Sequence, residues 1–202
     1  MSSRQGKGRQ GHGGLVRSVV VIGGSAGAHG PLQTVCKDLP PDFPAPILVV
    51  LHVPPHLPSR LAAILTRAGP LPATEVRHGQ ELAAGHIHVA PPDHHLLVGA
   101  DGTAALGRDA PERGFRPSID VLFCSAAAAF GAAAVGVILS GALTDGVAGA
   151  EAIRGEGGVV IAQDPEEARF GRLPWAAVDA GAADMVVPSA AIAAALCRLT
   201  AS

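Results

Sequence analysis

Five short runs, "SVVVIG", "APILVVLH", "AAVGVILS", "GVVIAQ" and "ADMVVP", are rich in β-branched residues and apolar on both faces instead of alternating. A strand with one wet face must alternate. A strand covered on both sides need not, and such strands belong mainly to parallel sheets roofed by helices. The segments between them are Ala/Leu-rich and carry helix boundaries. In "RPSIDVLFCSAAAAFG", Ser118 is a candidate cap, Asp120 suits the first turn and Gly131 ends the run. In "LTDGVAGAEAIRGEGG" a helix starts after Asp145 and stops at the glycines from Gly155 to Gly158. The pattern predicts an α/β fold with a doubly wound, mostly parallel sheet in a Rossmann-like three-layer arrangement.

The stretch from Thr74 to Leu106 reads differently. "ATEVRHG", "GHIHVAPP", "HHLLVG" and "TAALG" are short, strand-like and divided by Gly/Pro turns, which predicts an inserted antiparallel hairpin. Residues 1–15 are polar and glycine-rich and read as a flexible tail; residues 16–202 read as one domain.

Composition removes several functions. With a net charge of -2, one Trp, five Phe and no Tyr, the chain lacks the basic stripe and stacking residues that nucleic acid demands. No apolar run is long enough to insert in a membrane, and the N-terminus has no secretory pattern, so a cytoplasmic location is expected. Cys36, Cys124 and Cys197 are widely spaced in apolar, helical stretches and read as small buried hydrophobes rather than a disulfide framework or thiolate zinc site.

The loop after the first run, "VVVIGGSAGAHG", admits a phosphate reading and a nucleophile reading. A dinucleotide fingerprint requires G-x-G-x-x-G and an acidic residue ending the second strand. Here the glycines are Gly23, Gly24, Gly27 and Gly30, and that strand ends in His52. A Walker loop requires G-K-[ST], and no lysine follows before Lys37. Gly23 to Gly27 does match G-x-S-x-G between a strand and a helix, where a turn too sharp for most residues exposes Ser25 Oγ. The plain alternative is that Ser25 caps the helix.

Two further strand ends bear on that choice. "ILVVLHVPP" sets His52 at the end of the second strand, and "VGVILSGALTDG" sets Ser140 to Asp145 beyond a later one. The C-terminal ends of parallel strands share one rim, where doubly wound folds bind ligands. Ser25, His52 and Asp145 should therefore gather. A serine hydroxyl needs a base such as imidazole, and the imidazole needs a carboxylate to fix its tautomer. Taken singly, His52 also suits a solvated loop and Asp145 a helix cap. The chain order Ser, His, Asp differs from the Ser, acid, His order of ordinary α/β-hydrolases.

Six blocks in order, "GGSAGAHGPL", "VVLHVPPHLPSRLAAIL", "GHIHVAPPDHHLLV", "RPSIDVLFCSAA", "VGVILSGALTDGVAGAEAIRGEGGVVIAQDPEEA" and "GRLPWAAVDAGAADMVVP", resemble the catalytic domain of the chemotaxis receptor protein-glutamate methylesterases (CheB-type) over Arg17 to Leu196. The resemblance implies a Ser25-His52-Asp145 triad that needs no cofactor. It further implies hydrolysis of γ-glutamyl methyl esters on the cytoplasmic helices of methyl-accepting chemotaxis receptors, with deamidation of receptor glutamines in some members. Backbone amides near Ala26 and Ala142 would hold the oxyanion.

There are departures. Ala26 replaces a threonine, Ala142 replaces the methionine associated with the oxyanion hole, and Leu51-His52-Val53-Pro54 stands for the family's Q-H-M-P. The family's usual N-terminal receiver domain has no room here, which predicts constant activity, a separate regulatory receiver protein, or a role outside chemotaxis. A catalytically inactive binding or signalling module of the same fold is the competing expectation.

Remaining candidates are weaker. His86, His88, His94 and His95 with Asp93 invite a metal, yet their hairpin location predicts a solvated surface and no metal site. His95 matches a histidine common in the family and is expected to be structural or on the rim. Arg116 either contacts an acidic substrate or is a surface arginine before a helix. Arg172 and Trp175 either form a substrate-facing rim or, for Trp175, pack in the core.

Overall fold

The computed structural model describes residues 18–52 and 59–201; the tail expected over residues 1–15 lies outside them. The elements run β1 (Val19–Gly24), α1 (His29–Asp38), β2 (Ile47–Leu51), α2 (Leu61–Ala68), β3 (Ala73–Glu75), β4 (Gln80–Glu81), β5 (Ile87–Val89), β6 (His95–Val98), β7 (Thr103–Gly107) and α3 (Ile119–Phe130). A short 3₁₀ turn follows at Gly131–Ala133. Then come β8 (Ala134–Ile138), α4 (Val147–Gly155), β9 (Val159–Gln163), α5 (Arg172–Asp179), β10 (Met185–Val187) and α6 (Ser189–Thr200).

Seven strands form one sheet in the order β10-β9-β8-β1-β2-β5-β3, every pair parallel. From β1 the chain steps outward through β2 to β5 and β3, then returns to β8 on the other side of β1. The winding therefore reverses between β1 and β8, which opens a crevice at their C-terminal ends.

The all-apolar strands are explained by what covers them. Val20, Ile22, Ile47, Val49, Val135 and Val137 pack with Leu32 of α1, Leu65 of α2 and Ile192 of α6. Their neighbours Val19, Val21, Leu48, Val50 and Val160 face the other way, against Phe123 of α3, Ile153 of α4 and Leu173 of α5. Both faces are dry. Each fully buried Val, Leu or Ile side chain contributes about 1.5–3 kcal/mol, which holds the three layers together.

The segment expected as an antiparallel excursion divides in two. β4, β7 and β6 form a small antiparallel sheet, with β6 and β7 the hairpin, whose Leu96, Val98 and Ala104 close over the α3 side of the core. "ATEVRHG" and "GHIHVAPP" depart from the expectation: β3 and β5 join the main sheet as parallel strands beside β2. His88 is consequently buried within the sheet rather than solvated. Its ring, taken out of water, has its pKa pushed down to about 4.

The cysteines also divide. All three lie on helices, but Cys36 is buried, Cys197 half-buried and Cys124 exposed, so burial was wrongly expected of Cys124. Burial pushes the Cys36 thiol up to about 12. Among the described residues no helix is long and apolar enough to cross a membrane.

Candidate active site

β1 ends at Gly24, and Ser25 stands on the turn into α1. The turn is forced close. A Cβ on Gly23 would lie 2.2 Å from Ile119 Cγ2, and Gly27 has φ +79, a left-handed conformation that glycine adopts readily. The Ser25 amide donates to the Ser140 carbonyl at 2.9 Å, locking the turn to the segment after β8. Ser140 is fully buried, and its hydroxyl donates to the Ala26 carbonyl at 2.8 Å and accepts from the Phe170 amide at 3.0 Å. Three loops are thereby pinned around Ser25.

β2 delivers His52 beside it, where the His52 amide donates to the Gly24 carbonyl at 3.2 Å. His52 Nδ1 lies 3.1 Å from Ser25 Oγ, and Nε2 lies 2.7 Å from Asp145 Oδ2. An ionised carboxylate can only accept, so Nε2 carries the proton. Nδ1 then presents a lone pair to the Ser25 hydroxyl, which donates to it. The expected convergence of the three side chains is present.

Asp145 is held by more than the histidine. Oδ1 accepts from Ser118 Oγ at 2.7 Å and the Asp120 amide at 3.2 Å, while Oδ2 also accepts from the Ile119 amide at 2.7 Å. Burial works against ionisation. The bonds from His52, Ile119, Ser118 and Asp120 outweigh it and hold the carboxyl below the usual carboxylate range. The charge also faces the first turn of α3, where the helix dipole favours it.

Sequence reasoning missed Phe115. Its ring stacks on His52 with centroids 3.7 Å apart and planes 1° from parallel. Its only local sign was an aromatic residue just upstream of "RPSID". Asp120 lies in the first turn of α3, as expected, and in addition accepts from the Gly146 and Gly149 amides at 2.9 and 2.8 Å, at the start of α4, a role that sequence reasoning missed.

Arg116 is engaged within the protein. Its Nε donates to Asp93 Oδ1 at 2.9 Å and its Nη1 to the Asp109 carbonyl at 2.9 Å. The guanidinium is thus paired with Asp93. His95 is buried, accepts from the Ser118 amide and faces the Ala110 carbonyl, which makes it a brace for the same loop. His86 pairs with Thr74, His94 with the Pro92 carbonyl, and His88 with Gln80 and the Ala83 amide. Among the described residues no group of three His, Cys, Asp or Glu side chains could hold a metal ion.

Ala26 and Ala142 are exposed on the crevice, and among the described residues neither amide has a hydrogen-bond partner. A Cβ on Gly141, the residue before Ala142, would lie 3.4 Å from Ser25 Cβ. Leu143, Phe170 and Trp175 are exposed on the neighbouring loops and α5, so Trp175 is not core packing; Arg172 is exposed as well.

Fold and site together define a three-layer α/β protein with a Ser-His-Asp constellation at the switch point of its sheet. The family model for CheB methylesterase matches residues 20–196. The crystal structure of the Thermotoga maritima CheB methylesterase catalytic domain superimposes with a TM-score of 0.88 at 34% identity, covering 92% of this chain and all of that one. An Anaeromyxobacter dehalogenans protein-glutamate methylesterase/protein-glutamine glutaminase is 48% identical over 87% of this chain, which spans 52% of that protein. A putative Leptospira interrogans protein of the same description is 34% identical over 89% of this chain and 93% of its own length. The chain belongs to the CheB methylesterase family.

Proposed function

We propose that this protein is a serine esterase that removes methyl esters from glutamate side chains on the cytoplasmic helices of methyl-accepting chemotaxis receptors. The observation that carries the reading is the continuous relay from Ser25 Oγ through the His52 ring to Asp145, at 3.1 and 2.7 Å. It is supported by relatives described as protein-glutamate methylesterase/protein-glutamine glutaminase.

In this reading Ser25 Oγ attacks the ester carbonyl while His52 Nδ1 takes its proton. Asp145 keeps the other ring nitrogen protonated and offsets the imidazolium charge. The amides of Ala26 and Ala142 face the developing oxyanion. Such donors are worth roughly 3–4 kcal/mol each, and a backbone donor survives the loss of the larger side chains that relatives carry there. The imidazolium then gives its proton to the leaving methoxide, releasing methanol. Water attacks the glutamyl-serine ester with His52 again as base, restoring Ser25 and a free carboxylate. A glutamine side chain could follow the same course, releasing ammonia.

The test is methanol release from methylated receptor, with a fluorophosphonate probe as a substrate-independent check. Wild type should release methanol and be labelled at Ser25; Ser25→Ala should do neither while keeping its melting temperature. Equal methanol release by both would end the proposal. Labelling without methanol release would keep the nucleophile and remove the receptor ester as its substrate.

A further inference from the structure

An imidazole at the open end of a strand is normally wetted on at least one face and turns freely about its side-chain bonds. The His52 side chain is 8% exposed, and Phe115 supplies the cover. The two rings are parallel within 1° at 3.7 Å, so the contact is face to face and not a mere corner of the hydrocarbon. We infer that Phe115 is a positioning residue for the base: its ring fixes the plane of His52 and favours the charged imidazole formed during proton transfer.

The loop carrying Phe115 is built to hold that pose. The Glu112 amide donates to the Phe115 carbonyl at 3.0 Å, and the Phe115 amide returns a bond to the Glu112 carbonyl at 2.8 Å. Arg113 and Gly114 make the tight corner between them with φ of 49 and 86. Arg113 Nε reaches Asp120 Oδ2 at 3.5 Å on one side, and Arg116 grips Asp93 on the other. The ring is therefore presented by an anchored hairpin.

Two effects follow from this placement. A planar wall forbids rotations of His52 that would break either the Ser25 or the Asp145 bond, which preserves the reacting geometry. The negative face of the benzene ring also attracts a cation above it more than a neutral ring, and the cation exists only once the serine proton has moved. Stabilisation confined to that stage raises kcat rather than tightening ground-state binding.

The inference rests on the esterase reading, and its test is chosen to separate the two. Wild type, Phe115→Leu, Phe115→Trp and Phe115→Ala are compared for hydrolysis of a small activated ester and for acylation by a fluorophosphonate. Phe115→Leu should lose about 10-fold in kcat with KM within twofold and an unchanged melting temperature, while Phe115→Trp keeps most of the rate. By NMR, the His52 ring protons should sit upfield in wild type and return toward ordinary positions in Phe115→Leu. A leucine variant as fast as wild type would overturn the inference, as would His52 ring protons that do not move. A wild type inert to ester and probe alike would overturn the esterase reading and the kinetic half of this one together.

Discussion

Asp145 and Asp120 cap each other's helices. Asp145, just before α4, accepts from the Ile119 and Asp120 amides at the start of α3; Asp120, in α3, accepts from the Gly146 and Gly149 amides at the start of α4. Two buried carboxylates thus lie side by side, each satisfied by the other's helix. The carboxylate that orients His52 is therefore also a structural tie between two helices.

Asp145→Asn should fail twice. Either orientation of the new amide sets its NH₂ group against a backbone N–H, that of Ile119 or that of Asp120. Leaving a buried N–H unsatisfied costs about 1–3 kcal/mol, and a mis-set tautomer costs on the order of 10⁴ in kcat. Thermal melts and ester turnover measure the two losses. The folded pKa of Asp145 lies below its ordinary value, so its stabilising effect is present above that value and fades as pH falls through the depressed pKa. The wild-type margin in melting temperature should narrow along that acidic limb.

Asp120→Asn should behave differently from Asp120→Ala. Burial, opposed by the Gly149 amide and reinforced by the charge of Asp145, lifts the Asp120 carboxyl above its usual range. A raised acid pKa means that the folded protein loses stability as pH rises from the ordinary carboxyl value of 3.8 through the folded one. Asparagine keeps Oδ1 for Gly146 and Gly149 and removes the charge, so its melting temperature should gain on wild type across that interval and level off above it. Alanine should destabilise by about 1–3 kcal/mol at every pH, because it leaves both amides without an acceptor.

Arg116 and Asp93 should act as one unit. The guanidinium meets Asp93 and two loop carbonyls, and the pair draws the Asp93 carboxyl downward through that bond. Arg116→Ala, Asp93→Ala and the double variant should show similar, non-additive losses in turnover of a small neutral ester, through misplacement of Phe115. A loss specific to acidic receptor substrate, absent in Asp93→Ala, would instead assign Arg116 to substrate contact.

Gly23→Ala places a methyl group 2.2 Å from Ile119 Cγ2, where β1 meets α3. Overpacking of this kind costs about 1–3 kcal/mol. Since α3 also presents the amides that bind Asp145, denaturant melts should show the destabilisation and ester turnover should fall with it.

The frame of the site was legible because each of its three members lies at or shortly beyond the end of an apolar run, where a parallel sheet exposes its rim. Ser25, His52 and Asp145 needed no more than strand direction to be brought together. Phe115 was not legible, since its position over His52 depends on a turn through Arg113 and Gly114 that leaves no periodic trace. β3 and β5 were misread for a related reason. Three-residue strands between Gly/Pro turns look alike whether they pair in parallel or antiparallel fashion, and β2 decides the matter from outside the segment. Cys124 was misjudged because α3 is apolar almost throughout, so composition does not tell its buried face from its open one.

The sheet order has a consequence for how the protein is made. β1 sits between β2 and β8, so the hydroxyl has its imidazole from one flank and its carboxylate from the other. During translation Ser25 and His52 emerge early, at the ends of β1 and β2, while the other edge of β1 is still bare, and Asp145 follows 93 residues after His52, beyond β8. In the proposed reading, a nascent chain thus carries an incomplete triad for most of its synthesis, and Ser25 gains the full relay only after that edge is zipped shut.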